Sequence, residues 1–231
     1  MYTYLFSVGQ IYHVYNRGVE KRVIFLSDRD YRRFVDDLFV FNDEASITNL
    51  GYNLVSAGKL QIQSVEAKKK RPLVDILVFT LMPNHFHLIL RQRKDNGIIK
   101  FMQKLGTGYT MYFNKRYERV GGLFQGAYKA VLINKQAHFI HLPYYIHTNP
   151  LELTPYRGRT SIGAEEAMKF LENYRWSSFL DYIGKRNFPH VISRKFLLKF
   201  FGGPAKYKKD ILDWLNEKDR SLELIRSLTL E

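Results

Sequence analysis

Segments of strand period and helix period follow one another as strand, helix, strand, strand, helix, strand and a final helix, which predicts an α+β fold of ferredoxin-like order. Two stretches carry most of that prediction. Leu73 to Leu81 is a near-continuous apolar run, the pattern of a central strand covered on most of both faces. Met82-Pro83-Asn84 interrupts it before a second apolar run from His85 to Leu90, as a tight turn between antiparallel strands does. In such a fold the two central strands lie side by side, helices cover one face of the antiparallel sheet and the other face is left open.

The remaining elements follow in chain order. Ile11 to Val19 reads as a strand ended by Gly18. Asp28 is suited to cap a helix that runs through Phe41, with Tyr31, Phe34, Leu38 and Phe41 on one stripe. Residues 42–72 read as a loop-rich insertion, closing on the basic run Lys68-Lys69-Lys70-Arg71-Pro72, the pattern of a solvated loop. Ile98 to Tyr117 reads as a long helix with Phe101, Leu105, Tyr109, Tyr112 and Phe113 on its apolar stripe, stopped by Gly121-Gly122. Tyr128 to Ile133 is the fourth strand and a helix starts near Ala137. Beyond a domain of residues 1–183, residues 184–231 form a basic helical extension carrying Arg194, Lys195, Lys199, Lys206, Lys208 and Lys209.

Composition narrows the partners. The 231 residues carry a formal charge of +14, which points to a polyanion, since clustered Lys and Arg gain affinity by releasing counterions from phosphates. No basic amphipathic helix with a lipid-facing aromatic edge stands out, and no apolar stretch approaches the length of a membrane span. The absence of cysteine removes disulfides, thiolate nucleophiles and Cys-type zinc sites together. With no signal-peptide pattern at Met1-Tyr2-Thr3-Tyr4-Leu5-Phe6, the expectation is a bacterial-type cytoplasmic, nucleoid-associated protein that meets DNA.

Chemistry concentrates in two motifs. In Met82-Pro83-Asn84-His85-Phe86-His87-Leu88-Ile89-Leu90 the side chains alternate, so His85 and His87 share one face while Phe86, Leu88 and Leu90 take the other. Paired imidazoles on one sheet face suit a divalent metal, and a bare His-x-His equally suits two hydrogen-bonded structural histidines. About sixty residues on comes Leu142-Pro143-Tyr144-Tyr145-Ile146-His147-Thr148-Asn149-Pro150. If it is helical, Tyr145 and Asn149 share a face, four residues apart. Asn149 also suits a helix C-cap before Pro150, and the two roles are compatible. His141, one turn before Tyr145, reads as a surface histidine.

Together these motifs resemble the single-tyrosine HUH transposases, and within them the REP-associated tyrosine transposase group. Tyr12-His13-Val14-Tyr15-Asn16-Arg17-Gly18 is similar to the family's first strand and its Asn-Arg-Gly turn. Leu81-Met82-Pro83-Asn84 is similar to its lead-in to the histidine pair. Gly122-Leu123-Phe124-Gln125-Gly126 with Tyr128-Lys129 resembles the approach to the last core strand, and Tyr174-Arg175-Trp176-Ser177-Ser178 the segment after the nucleophile. The resemblance spans about residues 10 to 183. It implies an HUH domain in which Tyr145 is the nucleophile and His85, His87 and Asn149 hold Mg²⁺ or Mn²⁺, two imidazoles suiting Mn²⁺ the better. It implies single-stranded or hairpin DNA as partner, cleaved and rejoined through a 5′-phosphotyrosine. Asn16 and Arg17 then sit near the site as candidate phosphate contacts.

Lys104 and Arg116, on the long helix among aromatic residues, and Lys129 complete the candidate nucleic-acid-binding set. Two positions depart from the family pattern. Pro143 implies that the helix begins there or is kinked there, and Ala127 stands where the family commonly has an arginine. Two other functions stay open from the sequence. One is a non-catalytic DNA- or RNA-binding module using the same basic surface. The other is a metal-dependent phosphoesterase that activates water. Monomer and homodimer both remain open.

Overall fold

The computed structural model describes residues 6–45, 70–154 and 163–216. Much of the insertion expected at 42–72 and the end of the extension, including Lys68 and Lys69, lie outside the described residues. Four strands form one antiparallel sheet: β1 (Ile11–Arg17), β2 (Val74–Met82), β3 (His85–Gln92) and β4 (Lys129–Leu132), in the order β2-β3-β1-β4. This is the expected ferredoxin-like order, with β3 and β1 central. β2, expected from its apolar run to be a central strand, lies at the edge of the sheet, yet it is buried along its whole length.

Helices α1 (Asp28–Val40) and α2 (Gly97–Arg116) cover one face. Phe34 meets Phe86 with ring centroids 5.0 Å apart, and Tyr109 packs edge-on against Phe34 while its hydroxyl donates to the carbonyl of Ile24 at 2.6 Å. A Cβ on Gly108 would lie 2.4 Å from the Phe41 ring, so glycine is what lets α2 approach the end of α1. The cap of α1 is Ser27, one residue before the expected Asp28. The side chain that reaches back is Asp30, which accepts the N–H groups of Leu26 and Ser27, both at 2.9 Å. Asp30 also accepts from the hydroxyls of Tyr112 and Tyr117, so this one carboxylate ties the start of α1 to the end of α2.

The opposite face is not left open across the sheet. Helix α3 (Gln136–Thr148), a 3₁₀ turn (Asn149–Leu153) and helices α4 (Ala164–Asn173), α5 (Phe179–Tyr182), α6 (Arg194–Phe201) and α7 (Pro204–Asn216) build a second layer there. The cause lies in the apolar stripes of the extension: Leu197, Phe201, Tyr207, Ile211 and Trp214 are buried in one continuous core with Leu142, Tyr144 and Ile146 of α3. The boundary expected after residue 183 falls at the turn following α5, and the helices beyond it add to the same core.

A polar chain fastens this layer. His147, fully buried, bonds the Tyr207 hydroxyl through Nδ1 at 2.7 Å and the Ser178 hydroxyl through Nε2 at 2.8 Å. Ser178 Oγ lies 3.2 Å from the carbonyl of Phe79 and accepts the N–H of the same residue. Around it, the segment after α4 seals the outer edge of β2: Leu81 N–H donates to Trp176 O, Ser178 N–H to Phe79 O and Ser193 N–H to Ile76 O. Helix α3 is continuous through Pro143, neither starting nor breaking at it. Pro143 has no N–H, so the carbonyl of Phe139 lacks its usual donor one turn on.

Candidate active site

Cross-strand register decides which side chains meet. Arg17 pairs with His85 and Tyr15 with His87 across β1 and β3, Thr80 pairs with His87 from β2, and Lys129 pairs with Tyr15 from β4. Alternation puts His13, Tyr15, Arg17, His85 and His87 on the same face, which is the face carrying α3. The His85 and His87 rings are perpendicular with centroids 5.0 Å apart, and the Tyr145 ring stands 6.2 Å from that of His87. Asn149, at the C-terminal cap of α3, brings its side-chain oxygen to 3.3 Å from His85 Nε2. The four residues expected at the centre, Tyr145, His85, His87 and Asn149, are therefore brought together.

Hydrogen bonds fix which atoms of the imidazoles carry protons. Asn84 Nδ2 donates to the carbonyl of Lys21 at 3.3 Å, so its oxygen faces His85 Nδ1, 2.7 Å away. His85 must then donate through Nδ1, which leaves the lone pair on Nε2. Asn149 Nδ2 points to Glu152 Oε1 at 3.4 Å, so its oxygen is the atom facing that lone pair. Two acceptors 3.3 Å apart repel unless a cation or an added proton sits between them. His87 Nε2 is buried and has no hydrogen-bond partner among the described residues. Burial holds the His87 imidazole well below the usual histidine range, and the neighbouring His13 and His85 push it the same way. This donor set fits a divalent ion, with each histidine held through its other nitrogen. Among the described residues no group of three His, Asp or Glu side chains could hold a metal; the convergent set is two histidines and an amide.

Beside the histidines the face opens into a cleft of about 130 Å³ lined by Tyr15, Asn16, Arg17, His85, Gln125, Ala127 and Lys129. Arg17 and Lys129 supply its positive charge. Arg17 Nε donates to the Gln125 side chain, and the Lys129 ammonium lies 5.7 Å from the centre of the Tyr15 ring. Asn16 serves the turn itself, accepting the Arg17 N–H at 2.9 Å and donating to the carbonyl of Gly126 at 3.2 Å. A larger, mostly apolar groove of about 550 Å³ between α2 and residues 122–128 shares Asn16 and Ala127 with this cleft.

The other two candidate contacts lie elsewhere. Lys104 donates to the carbonyls of Asp43 and Ala45, at 2.6 and 2.9 Å. Arg116 bonds the Tyr117 hydroxyl at 3.1 Å and lies 3.5 Å from Asp30. Of the basic run before β2, Lys70 sits over the Phe39 ring and Arg71 pairs with Glu44. His141, expected at the surface, is half-buried and stacks on Trp214 with centroids 5.4 Å apart. Two residues of the site were not singled out from sequence. His13 Nε2 bonds His87 Nδ1 at 3.0 Å, and Tyr15 stacks on both imidazoles. The signal was there in the alternation of His13, Tyr15 and Arg17 along one strand, but it takes the β1–β3 register to aim them at His87.

Residues 56–149 match the family model described as IS200-like transposase, a span that ends on Asn149 and contains His85, His87 and Tyr145. Eight chains of solved structures match. One is a REP-associated tyrosine transposase bound to a REP hairpin, 12% identical with a TM-score of 0.51, the match covering 84% of this chain and 90% of that one. No curated protein matches. No helix among the described residues is long and apolar enough to cross a membrane. An IS200-like transposase model thus matches the central part of the chain, and the solved REP-associated tyrosine transposase shares its fold.

Proposed function

We propose that this protein is a DNA transposase that binds hairpin-forming single-stranded DNA and cleaves and rejoins it through Tyr145. The observation that carries the reading is the meeting of the Tyr145 ring with buried His87, half-buried His85 and an amide oxygen, beside a cleft charged by Arg17 and Lys129. His85 Nε2, His87 Nε2 and Asn149 Oδ1 would hold Mg²⁺ or Mn²⁺. When bound, such an ion polarises the scissile phosphate and neutralises charge that develops on it.

The chain's own residues do the rest. Tyr145 Oη attacks the phosphorus and forms a phosphotyrosine bond, while the bond from phosphorus to the 3′ oxygen breaks. The phenolic proton passes to solvent and the departing oxygen takes one up as a 3′-hydroxyl. Rejoining is the reverse, with a 3′-hydroxyl displacing the tyrosine. A phenol is a weak nucleophile at neutral pH, with an ordinary pKa of about 10. Placement by α3 and charge stabilisation therefore carry the rate. Arg17 and Lys129 orient the neighbouring phosphates.

The test is a denaturing gel of the protein incubated with labelled hairpin oligonucleotides taken from DNA flanking its gene, with Mn²⁺, beside Tyr145→Phe. The expected result is a boiling-resistant shifted band that needs metal and is absent from the variant. Cleavage untouched by the variant and without a covalent band would replace this reading with a water-activating phosphoesterase. Binding without cleavage would replace it with a non-catalytic nucleic-acid module.

A further inference from the structure

We propose that Tyr207 and His147 are positioning residues: they belong to a one-way chain of hydrogen bonds that runs from α7 through α3 to the backbone of β2 and holds Tyr145 against His87; this rests on the function proposed above. Tyr207, His147 and Ser178 are all fully buried. The Tyr207 hydroxyl lies 2.7 Å from His147 Nδ1, and His147 Nε2 lies 2.8 Å from Ser178 Oγ.

The direction of the chain follows from its two ends. If His147 donated through Nδ1, the Tyr207 hydroxyl proton would be buried with no acceptor among the described residues, which is strongly disfavoured. Tyr207 therefore donates to Nδ1, and the neutral imidazole carries its own proton on Nε2. That proton goes to Ser178 Oγ, which also accepts the Phe79 N–H at 3.0 Å and gives its proton to the Phe79 carbonyl at 3.2 Å. Every donor is then used. His147 lies midway between Tyr145 and Asn149 in the sequence, so the stretch of α3 tied to the sheet is the stretch that carries the site. Two other tyrosines make comparable bonds that lack one part of this path. Tyr182 donates to the carbonyl of Leu77 at 2.7 Å, joining α5 to β2 without passing through α3. Tyr144 joins α3 to Asp210 of α7 at 3.2 Å, a bond that stops short of the sheet. Tyr207 and His147 touch no reacting atom; they act through α3.

The deciding experiment compares Tyr207→Phe with Tyr182→Phe by NMR of the metal-free full chain. Each variant keeps its ring and loses one buried hydroxyl, so both are expected to lower the urea midpoint. The nuclear Overhauser contact between the Tyr145 and His87 rings, whose centroids are 6.2 Å apart, is expected to weaken in Tyr207→Phe alone. Long-range ¹H–¹⁵N spectra of the wild-type chain are expected to show His147 protonated on Nε2. A proton on Nδ1, or a ring contact unchanged in Tyr207→Phe, would overturn the proposal. With saturating hairpin oligonucleotide and Mn²⁺, adduct formation is expected to slow about 10- to 100-fold in Tyr207→Phe at unchanged hairpin affinity, and to keep its rate in Tyr182→Phe. Equal slowing in both variants would reduce Tyr207 to packing. Absence of an adduct with the wild-type chain would sink the proposed function instead, while the ring contact and the His147 spectrum would still decide whether this chain of bonds places Tyr145.

Discussion

Two adjacent tyrosines on one helix point about 100° apart, so only one of them can face the histidines. Tyr145 stands against His87, whereas Tyr144 turns into the second layer, packing on Phe201, Tyr207 and Trp214 and donating to Asp210 at 3.2 Å. Burial, with the Asp210 charge, raises the Tyr144 phenol well above its ordinary range, which fits a packing role. Tyr144→Phe is expected to cost about 1 kcal/mol of stability, seen in a urea titration, and to leave covalent adduct formation intact. In the sequence Tyr145 is marked by the resemblance and by Asn149 four residues on, whereas the packing that turns Tyr144 away depends on helices far along the chain. Asn149 was readable as cap and as ligand, and the structure gives it the cap position and the contact with His85 together.

At the level of elements, α1 carries a buried pair one turn apart, Arg33 and Asp37, with Nε to Oδ1 at 2.9 Å. Asp37 Oδ2 has no hydrogen-bond partner among the described residues. Burial outweighs the guanidinium and lifts the Asp37 carboxyl from its ordinary 3.8 to about 7. The folded state therefore holds a proton that the unfolded chain releases. Its contribution to stability is full below 3.8 and is lost as pH rises through about 7. The slope attributable to this group is at most about 1.4 kcal/mol per pH unit. Asp37→Asn is expected to remove that slope, measured as the difference between variant and wild-type urea midpoints across the window. Helix boundaries were largely legible, because stripes of apolar residues at helical spacing mark them. The displaced cap of α1 was not, since Ser27 and Asp28 are both good capping residues and only the reach of Asp30 selects Ser27.

For the whole molecule, the sheet order was legible because strand and helix periods alternate without ambiguity, and the turn at Met82-Pro83-Asn84 fixes the β2–β3 pairing. The cover on the second face was not. Residues 184–231 read as a basic helical extension, and an amphipathic stripe states that it needs a partner without naming one. Their lysines are partly spent on ion pairs, Lys206 with Asp210 and Lys208 with Glu172. Net charge is therefore a poor map of the DNA path. If the cleft carries phosphate contacts, Arg17→Ala and Lys129→Ala should each lower the salt dependence of hairpin binding by about one counterion. Lys104→Ala, whose ammonium is held by the carbonyls of Asp43 and Ala45, should leave it unchanged. Fluorescence anisotropy across a salt series reads both.

The bond between His147 and Tyr207 spans 60 positions in the chain. A nascent polypeptide lengthens at about 5–20 residues per second, so α3 leaves the ribosome seconds before the helix that clamps it. In that interval the sheet can form and α3 can pack on it, but the contacts of α3 with α6 and α7 are still missing. In the function proposed above, alignment of the site would wait for α7, and a product truncated before that helix is expected to carry every proposed active-site side chain without the His147–Tyr207 clamp.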